Sequence, residues 1–216
     1  MRTWPGLQKV YRRHHLKNKR DGFTFWGEKR GKIFSRLIST QKKILDLGCR
    51  DGSLTNYYVS GNNIIGVDID ERLLSQCREN LGIKTMVFDL NSQNWPFQKE
   101  SFDVVVAGEV MEHLFNPKDV LLKIKKLLKK NGLLVGSVPN SFHLIDRVKF
   151  IFGNPPRGFA DETHVNIFSY HSLLNLLLGH FHEVSIIPVT VDRYGLLARI
   201  LPTIFSDDLV FIAKRK

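Results

Sequence analysis

The chain has 216 residues, of which 43% are apolar and 25% charged, and its formal net charge is +11. This length fits one domain with a substantial core, and the composition is ordinary for a soluble globular protein. No apolar run approaches the ~20 residues that a membrane span requires. Cys49 and Cys77 form no CxxC or zinc pattern, and the N-terminus lacks the apolar segment of a secretory signal. These features predict a cytoplasmic protein in a reducing compartment.

The positive charge is concentrated ahead of the first predicted strand. Residues 1–43 hold thirteen Lys or Arg but only Asp21 and Glu28 as acids, whereas residues 44–216 are balanced in charge. We therefore interpret residues 1–42 as a basic N-terminal extension. Such a segment could contact nucleic acid, an anionic membrane surface or an acidic substrate, or it could be a solvated leading helix with aromatic anchors. Charge asymmetry indicates attraction only, and these alternatives stay open.

From residue 43 onward, strand and helix patterns alternate, which predicts a doubly wound α/β fold with helices on both faces of a parallel sheet. The predicted strands cover residues 43–47, 63–68, 85–88, 102–107, 133–138, 183–189 and 209–213. Four helices are predicted: one that starts near Asp51, one at residues 71–81, one that runs from Asn116-Pro117 to Asn131-Gly132, and one at residues 170–178.

Two apolar insertions, at about residues 139–166 and 190–208, interrupt this alternation. The strands before them end at the carboxyl edge of the sheet, where ligands bind in doubly wound folds. Both insertions should therefore overhang the site. We expect them to form a lid over an apolar substrate or to touch a membrane surface, with extra core over the sheet edge as the alternative.

Acids follow three successive predicted strands, and two glycines mark the first turn. Asp46, Gly48 and Gly52 form a D-x-G-x-x-x-G pattern, Asp68 follows Asp46 by 22 residues, and Asp89 follows the third strand. The glycines allow a sharp turn and a close approach to a ligand. The position of Asp68 is near that at which an acid accepts hydrogen bonds from ribose hydroxyls. The pattern predicts a positively charged ligand with a nucleoside end.

Five motifs in this order resemble those of the class I S-adenosylmethionine-dependent methyltransferases, and within them the group that includes ubiquinone O-methyltransferases and MetW-like proteins. The resemblance implies a Rossmann-like seven-stranded sheet with the last strand antiparallel, a methyltransferase domain at residues 43–216, and S-adenosylmethionine as the cofactor. The matching segments are residues 46–54, 66–69, 88–90, 101–105 and 109–114, and the strand at residues 132–138 fits as well. The similarity is looser at residues 164–168.

The resemblance also assigns residues to the methionine end of the cofactor. Asp46, Gly48 and Cys49 would line it, and Glu109 would stand near the sulfonium. Arg50 departs from the usual glycine of the family, so its side chain is expected to point away from the cofactor.

At the adenosine end, the resemblance implies that Asp68 holds the ribose hydroxyls and that Ile69 packs against the adenine. Asp89 would read the adenine amino group, with Leu90 beside it.

Methyl transfer to an oxygen requires a base only where the acceptor must lose a proton. The candidates are His113, His164 and Glu112. Glu109, Glu112 and His113 could share one helical face. Similar E-x-x-E-H motifs in the quinone O-methyltransferase group are associated with a divalent metal. We favour the alternative that Glu112 and His113 cap and pack beneath the cofactor, and we predict no metal.

These patterns predict an enzyme that methylates an oxygen, less readily a nitrogen, of a small or lipid-linked molecule such as a quinone, sugar or glycolipid precursor. Peripheral membrane contact would fit such a substrate. Two alternatives are an RNA methyltransferase that uses the basic arm and a cofactor-binding partner protein without catalysis. The sequence leaves the acceptor and the oligomeric state open.

Overall fold

Seven strands form one mixed sheet in the computed structural model, which describes residues 6–18, 21–159 and 161–216. The strand order is β3-β2-β1-β4-β5-β7-β6, and β7 runs antiparallel to both of its neighbours. The predicted doubly wound sheet with an antiparallel last strand is therefore confirmed. The strands are β1 Lys43–Leu47, β2 Asn63–Asp68, β3 Lys84–Val87, β4 Phe102–Gly108, β5 Leu128–Pro139, β6 Glu183–Val189 and β7 Asp208–Lys214.

Eight α-helices accompany the sheet in the described part of the chain. Side chains cap several of them: Asp70 accepts from the amide of Arg72 at the start of α3, and Asn116 accepts from the amide of Asp119 at the start of α4. The helices are α1 Leu7–Lys17, α2 Gly27–Leu37, α3 Glu71–Leu81, α4 Pro117–Leu127, α5 Leu144–Ile151, α6 Tyr170–Leu178, α7 Gly195–Ile200 and α8 Pro202–Phe205. In these described residues, no helix is long and apolar enough to cross a membrane.

Alternate residues of the central strands point to opposite faces of the sheet and build two cores. Leu45 and Val105 belong to the larger core, together with side chains of α4 and α6. Ile44 and Val104 belong to the other core, where Phe34 of α2 is fully buried. The predicted basic extension thus supplies one wall of the core through α2, while its residues 1–5 and 19–20 lie outside the described residues.

The predicted helix near Asp51 was wrong, because the chain there forms only a short 3-10 turn at Thr55–Tyr57. Asp51 Oδ1 accepts hydrogen bonds from both the amide and the hydroxyl of Ser53, which competes with helical bonding. Helix α2 packs closely beside this turn, since a Cβ on Gly31 would lie 2.3 Å from the ring of Tyr57. Strand β5 also begins earlier than predicted, at Leu128.

The two predicted insertions contain α5, α7 and α8 and add little to the core. Asp146 is the buried residue of α5, and Ala198 is the buried residue of α7. Most of their large apolar side chains are exposed, which argues against extra core over the sheet edge. Residue 160 of the first insertion lies outside the described residues.

Candidate functional site

Two adjoining cavities lie at the carboxyl edge of the sheet. The larger has a volume of about 370 Å³ and the smaller about 100 Å³. The larger volume is in the range of sites that bind small organic molecules. Because the cavities share part of their lining, one elongated ligand can extend through both. The shared residues are Tyr11, His15, Gly48, Arg50, Glu109 and His113.

The smaller cavity contains the four residues assigned to adenosine. Asp68, Ile69, Asp89 and Leu90 all line it. Asp68 is buried at the end of β2, where Oδ2 accepts from the amide of Arg50 and Oδ1 from the amide of Asp70. Burial raises the pKa of Asp68, and these amides partly offset the increase. The carboxylates of Asp68 and Asp89 thus offer hydrogen-bond acceptors in a cavity whose apolar lining includes Ile69 and Leu90.

Asp46, Gly48 and Cys49 line the larger cavity, and Gly48 lines both. Gly48 adopts a φ of 69°, and an added Cβ would lie 2.7 Å from Val110 Cγ2, so only glycine fits this turn. Asp46 Oδ2 accepts from the hydroxyls of Thr55 (2.6 Å) and Tyr58 (2.7 Å). Burial raises the pKa of Asp46 to about 6 despite these bonds.

The two other residues of the first turn, Gly52 and Arg50, differ in their relation to the cavities. Gly52 lines neither cavity; its φ is 82°, and an added Cβ would lie 2.5 Å from Leu81 Cδ1. Its role here is close packing of the turn against α3. Arg50 lines both cavities, while its Nη1 reaches away to the carbonyl oxygen of Phe23 at 3.3 Å.

The three predicted catalytic residues meet in the larger cavity, although they come from distant segments. The amides of Val165 and Asn166 donate to the carbonyl oxygen of Glu112, at 2.9 and 3.0 Å. These two hydrogen bonds hold the segment after His164 against Glu112, and the ring centroids of His164 and His113 lie 4.8 Å apart. Glu112, His113 and His164 all line the cavity.

Hydrogen bonds to carbonyl oxygens define the protonated nitrogen of each ring. His113 Nδ1 lies 3.0 Å from the carbonyl oxygen of Thr163, and His164 Nδ1 lies 3.0 Å from that of Gly158. A carbonyl can only accept, so Nδ1 is the donor in both rings and Nε2 keeps its lone pair when the ring is neutral. Both histidines can therefore accept a proton at Nε2.

Burial and neighbouring charges set the charge states around this pair. Burial, followed by the effect of His164, lowers the pKa of His113 to about 4, so this ring is neutral at physiological pH. Burial would raise the pKa of Asp161, but hydrogen bonds from Thr163 and the nearby rings of His164 and His14 lower it to about 2. Asp161 Oδ2 lies 3.7 Å from His164 Nε2. A carboxylate therefore faces the nitrogen of His164 that keeps its lone pair.

A buried arginine that sequence reasoning missed lies beneath the cavity. Arg30 of α2 is fully buried, and Nη1 contacts Glu109 Oε1 and Ser137 Oγ at 2.9 and 2.7 Å. Its Nε lies 3.4 Å from Asp208 Oδ2. Burial and the adjacent Glu109 raise the pKa of both Glu112 and Asp208 well above the ordinary range. Arg30 fixes Glu109 where the two cavities meet.

Helix α1 of the basic extension lies across the junction of the cavities, which its charge pattern did not predict. Tyr11 and His15 line both cavities, and the ring of Tyr11 packs edge-on to His113 with centroids 5.7 Å apart. His15 Nδ1 donates to the buried Asp70 at 3.0 Å, and His14 Nε2 lies 3.3 Å from Asp161. The sequence feature that could have indicated this position is the adjacent pair His14 and His15 on a helix.

Glu112, His113 and His164 each offer an atom of a type that binds metals, and these atoms lie within 4.8 Å of one another. Within the part of the chain that the structure describes, neither carboxyl oxygen of Glu112 has a hydrogen-bond partner, although the residue is buried. Glu109 does not join this group, because its carboxylate pairs with Arg30. The cluster is thus suited to hold a donor-rich substrate or a cation.

Comparison with known proteins identifies the family. A family model described as a methyltransferase domain matches residues 14–180. The chain belongs to this methyltransferase family. The ubiquinone biosynthesis O-methyltransferase of Actinobacillus pleuropneumoniae is 32% identical over 108 residues, with 46% of each chain covered. That of Photobacterium profundum is 28% identical over 183 residues, covering 69% of this chain and 77% of its own.

Solved structures agree with this methyltransferase in fold. An S-adenosylmethionine-dependent methyltransferase from Archaeoglobus fulgidus superimposes with a TM-score of 0.70 at 19% identity, covering 93% of this chain and all of its own. The chain spans about half the length of several of the O-methyltransferases that it matches in sequence.

S-adenosylmethionine is the cofactor of the methyltransferase family, and the lining residues fit it. The smaller cavity offers two buried carboxylates between Ile69 and Leu90, which suits ribose hydroxyls and an adenine ring. The turn at Gly48 leaves room that a side chain would fill. The many acids around the larger cavity suit the positive charges of the methionine end. We therefore propose Asp46, Gly48, Cys49, Asp68, Ile69, Asp89, Leu90 and Glu109 as the residues that hold it.

Replacement of Asp68 by alanine is expected to weaken cofactor binding by the methyltransferase about 5- to 150-fold, which corresponds to ~1–3 kcal/mol for hydrogen bonds to a charged group. The reason is loss of the acceptor at the end of β2. Isothermal titration with S-adenosylmethionine measures it. Asp119→Ala, an exposed acid on α4, is the matched control and should bind normally. Unchanged affinity in Asp68→Ala would contradict the ribose assignment.

The lowered pKa of His113 should make the methyltransferase less stable in acid. The unfolded chain takes up a proton near pH 6.5, whereas the folded ring does so only near 4, so stability falls as pH decreases through that interval. The loss from this residue should reach about 2 kcal/mol at pH 5. Urea unfolding of the wild type and His113→Gln at pH 7 and pH 5 measures it. An equal loss in both proteins would show that His113 does not titrate in this way.

Proposed function

We propose that the chain transfers a methyl group to a hydroxyl oxygen of a small or lipid-linked molecule. The observation that carries this proposal is the His113–His164 pair, which lines the larger cavity beside the site assigned to the cofactor. A hydroxyl must lose its proton when its oxygen is methylated, and a neutral imidazole can take it. An apolar cavity without such a group would favour an acceptor that has no proton to lose.

In this proposal, His164 is the general base. Its Nε2 receives the proton from the acceptor hydroxyl, and the Asp161 carboxylate stabilises the resulting imidazolium from 3.7 Å. His113 stays neutral because of its lowered pKa, so its Nε2 can accept a hydrogen bond that orients the acceptor. The neutral form of Glu112, favoured by its raised pKa, can donate to a second oxygen of the acceptor.

Positioning contributes the rest of the rate enhancement. When bound, S-adenosylmethionine supplies an activated methyl group on a sulfonium. Glu109, held by Arg30 and Ser137, places a negative charge at the junction where this group would lie. Tyr11 covers the same junction and limits the access of water. An acceptor held in line with the methyl group then needs little further activation.

The substrate class rests on two observations. Relatives that share the motif region are named ubiquinone biosynthesis O-methyltransferases, which describes those proteins. The larger cavity also adjoins two segments rich in exposed apolar side chains, which suits an acceptor with a lipid tail. A cytoplasmic location is part of the same proposal, since both cysteines are free thiols.

The experiment is transfer of labelled methyl from S-adenosylmethionine into a cell extract that is then separated into lipid, small polar, RNA and protein fractions. Label in the lipid or small polar fraction supports the proposal. Cofactor binding without any label would favour a partner protein without catalysis. Chelation of divalent ions should leave the rate unchanged; loss of activity on chelation would assign Glu112, His113 and His164 to a metal instead.

A second candidate is methylation of RNA. The outer face of α1 exposes Lys9, Arg12 and Arg13, and the inner face of the same helix lines the cavities. Such a basic face could bind the phosphate backbone of an RNA beside the site. Label in the RNA fraction, with binding that weakens steeply as salt increases, would favour this candidate over the first.

A further inference from the structure

Two helices at the carboxyl edge expose apolar side chains to solvent, and we name them together the apolar edge. In and just after α5, Phe150, Ile151 and Phe152 are 71%, 78% and 77% exposed. In α7, Leu196 and Ile200 are 72% and 65% exposed. Exposed apolar side chains in such numbers mark an interaction surface more often than a solvated one.

The two parts of the apolar edge are fixed to each other at their bases. Asn140, just before α5, donates through Nδ2 to the carbonyl oxygens of Thr203 (2.9 Å) and Ser206 (2.8 Å), which follow α7. The amide of Asn140 also donates to the carbonyl oxygen of Asp207. The segment that leads into α5 and the segment that follows α7 are therefore joined by hydrogen bonds at the carboxyl edge.

The charges on the apolar edge are positive. Arg147 and Lys149 are exposed on α5, and Arg193 and Arg199 are exposed in and beside α7. The acids of these segments are turned away or paired: Asp146 is buried, Asp207 and Asp208 line the larger cavity, and Asp192 pairs with Lys29. Cations beside exposed phenylalanine, leucine and isoleucine are typical of helices that lie in the interface of an anionic bilayer.

We propose that the apolar edge docks this protein on an anionic lipid bilayer. On α5 and residues 192–200 the exposed cations outnumber the one exposed acid, Asp192, which pairs with Lys29, and this positive charge complements anionic lipid headgroups. The same helix connects the bilayer with the site, because α5 buries Asp146 in the lining of the larger cavity while its apolar side chains face outward. A lipid-linked acceptor would then enter from the surface on which the protein rests; this last step alone rests on the proposed function.

Cosedimentation with sucrose-loaded vesicles tests the docking, using phosphatidylcholine alone and a three-to-one mixture with phosphatidylglycerol. The wild type should bind the anionic vesicles. Phe150→Ser with Phe152→Ser should lower the partition coefficient at least about tenfold. Lys149→Gln with Arg199→Gln should lower it about fivefold per cation on anionic vesicles. Leu122→Ser with Leu178→Ser, which are 48% and 50% exposed on α4 and α6, is the matched control and should bind like the wild type.

Several results would overturn the proposal. These are wild-type protein that does not pellet with anionic vesicles, or apolar-edge variants that bind as well as the wild type. A dimer in sedimentation equilibrium that the Phe150→Ser and Phe152→Ser variant disrupts, without vesicle binding, would assign the surface to a second copy of this chain. Methyl transfer to the small polar fraction, measured in the same variants, separates a failure of docking from a failure of the proposed function.

Discussion

Replacement of His164 by glutamine is expected to lower kcat about 10²- to 10⁴-fold while leaving the affinity for S-adenosylmethionine unchanged. Glutamine keeps a hydrogen-bonding side chain of similar length, but it cannot take up the acceptor proton. His164 lines the larger cavity but is not among the residues assigned to the cofactor, so cofactor affinity should be unaffected. Single-turnover transfer of labelled methyl into the acceptor fraction measures the rate, and calorimetry measures cofactor affinity.

Two further variants separate a base from a structural histidine. Asp161→Asn removes the negative charge beside His164 Nε2 that would stabilise an imidazolium in the transition state, so kcat should fall while the affinity for S-adenosylmethionine stays unchanged. His171→Gln replaces an exposed histidine on α6 and should leave both rate and affinity unchanged. If the His164→Gln enzyme has a normal kcat, His164 is not the general base, and the role passes to His113 or Glu112.

The sheet and the acids at its edge were predictable because they depend on local patterns. Apolar runs that end in Asp46 and Asp68 indicate buried parallel strands, and parallel strands deliver those acids to one edge. The pattern thus predicted that these acids would lie at one edge of the sheet. It could not show that Gly52 packs against α3 rather than lining the cavity, because that depends on a contact with Leu81.

The contribution of the first forty residues was not predictable from charge. His15 meets Asp70 across 55 residues, and Arg30 meets Ser137 across 107. A basic segment usually keeps its cations in water, since burying one is costly. The buried Arg30 departs from that rule because Glu109, just after β4, and Asp208, on β7, are within reach of its guanidinium. Only the folded topology brings these strands under α2.

Replacement of Arg30 by methionine is expected to lower the free energy of unfolding by about 3–5 kcal/mol, because it leaves a buried cluster of acids without its cation. Methionine is close to the arginine stem in length and shape, so the loss reports charge rather than a large cavity. The melting temperature should fall by about 10 °C. Arg36→Met, an exposed position on the same helix, is the control and should unfold like the wild type.

The pH dependence of this loss identifies its cause. Burial and Glu109 already raise the pKa of Glu112 and Asp208, and removal of Arg30 raises both further. Protonation neutralises the cluster, so the difference in unfolding free energy between Arg30→Met and the wild type should become smaller as the pH decreases. Arg30→Lys keeps the charge but loses the separate nitrogens by which the guanidinium reaches both Glu109 and Asp208, so its stability should lie between those of Arg30→Met and the wild type. A difference that stays constant with pH would point to packing and would remove the electrostatic role assigned to Arg30 beneath the cavity.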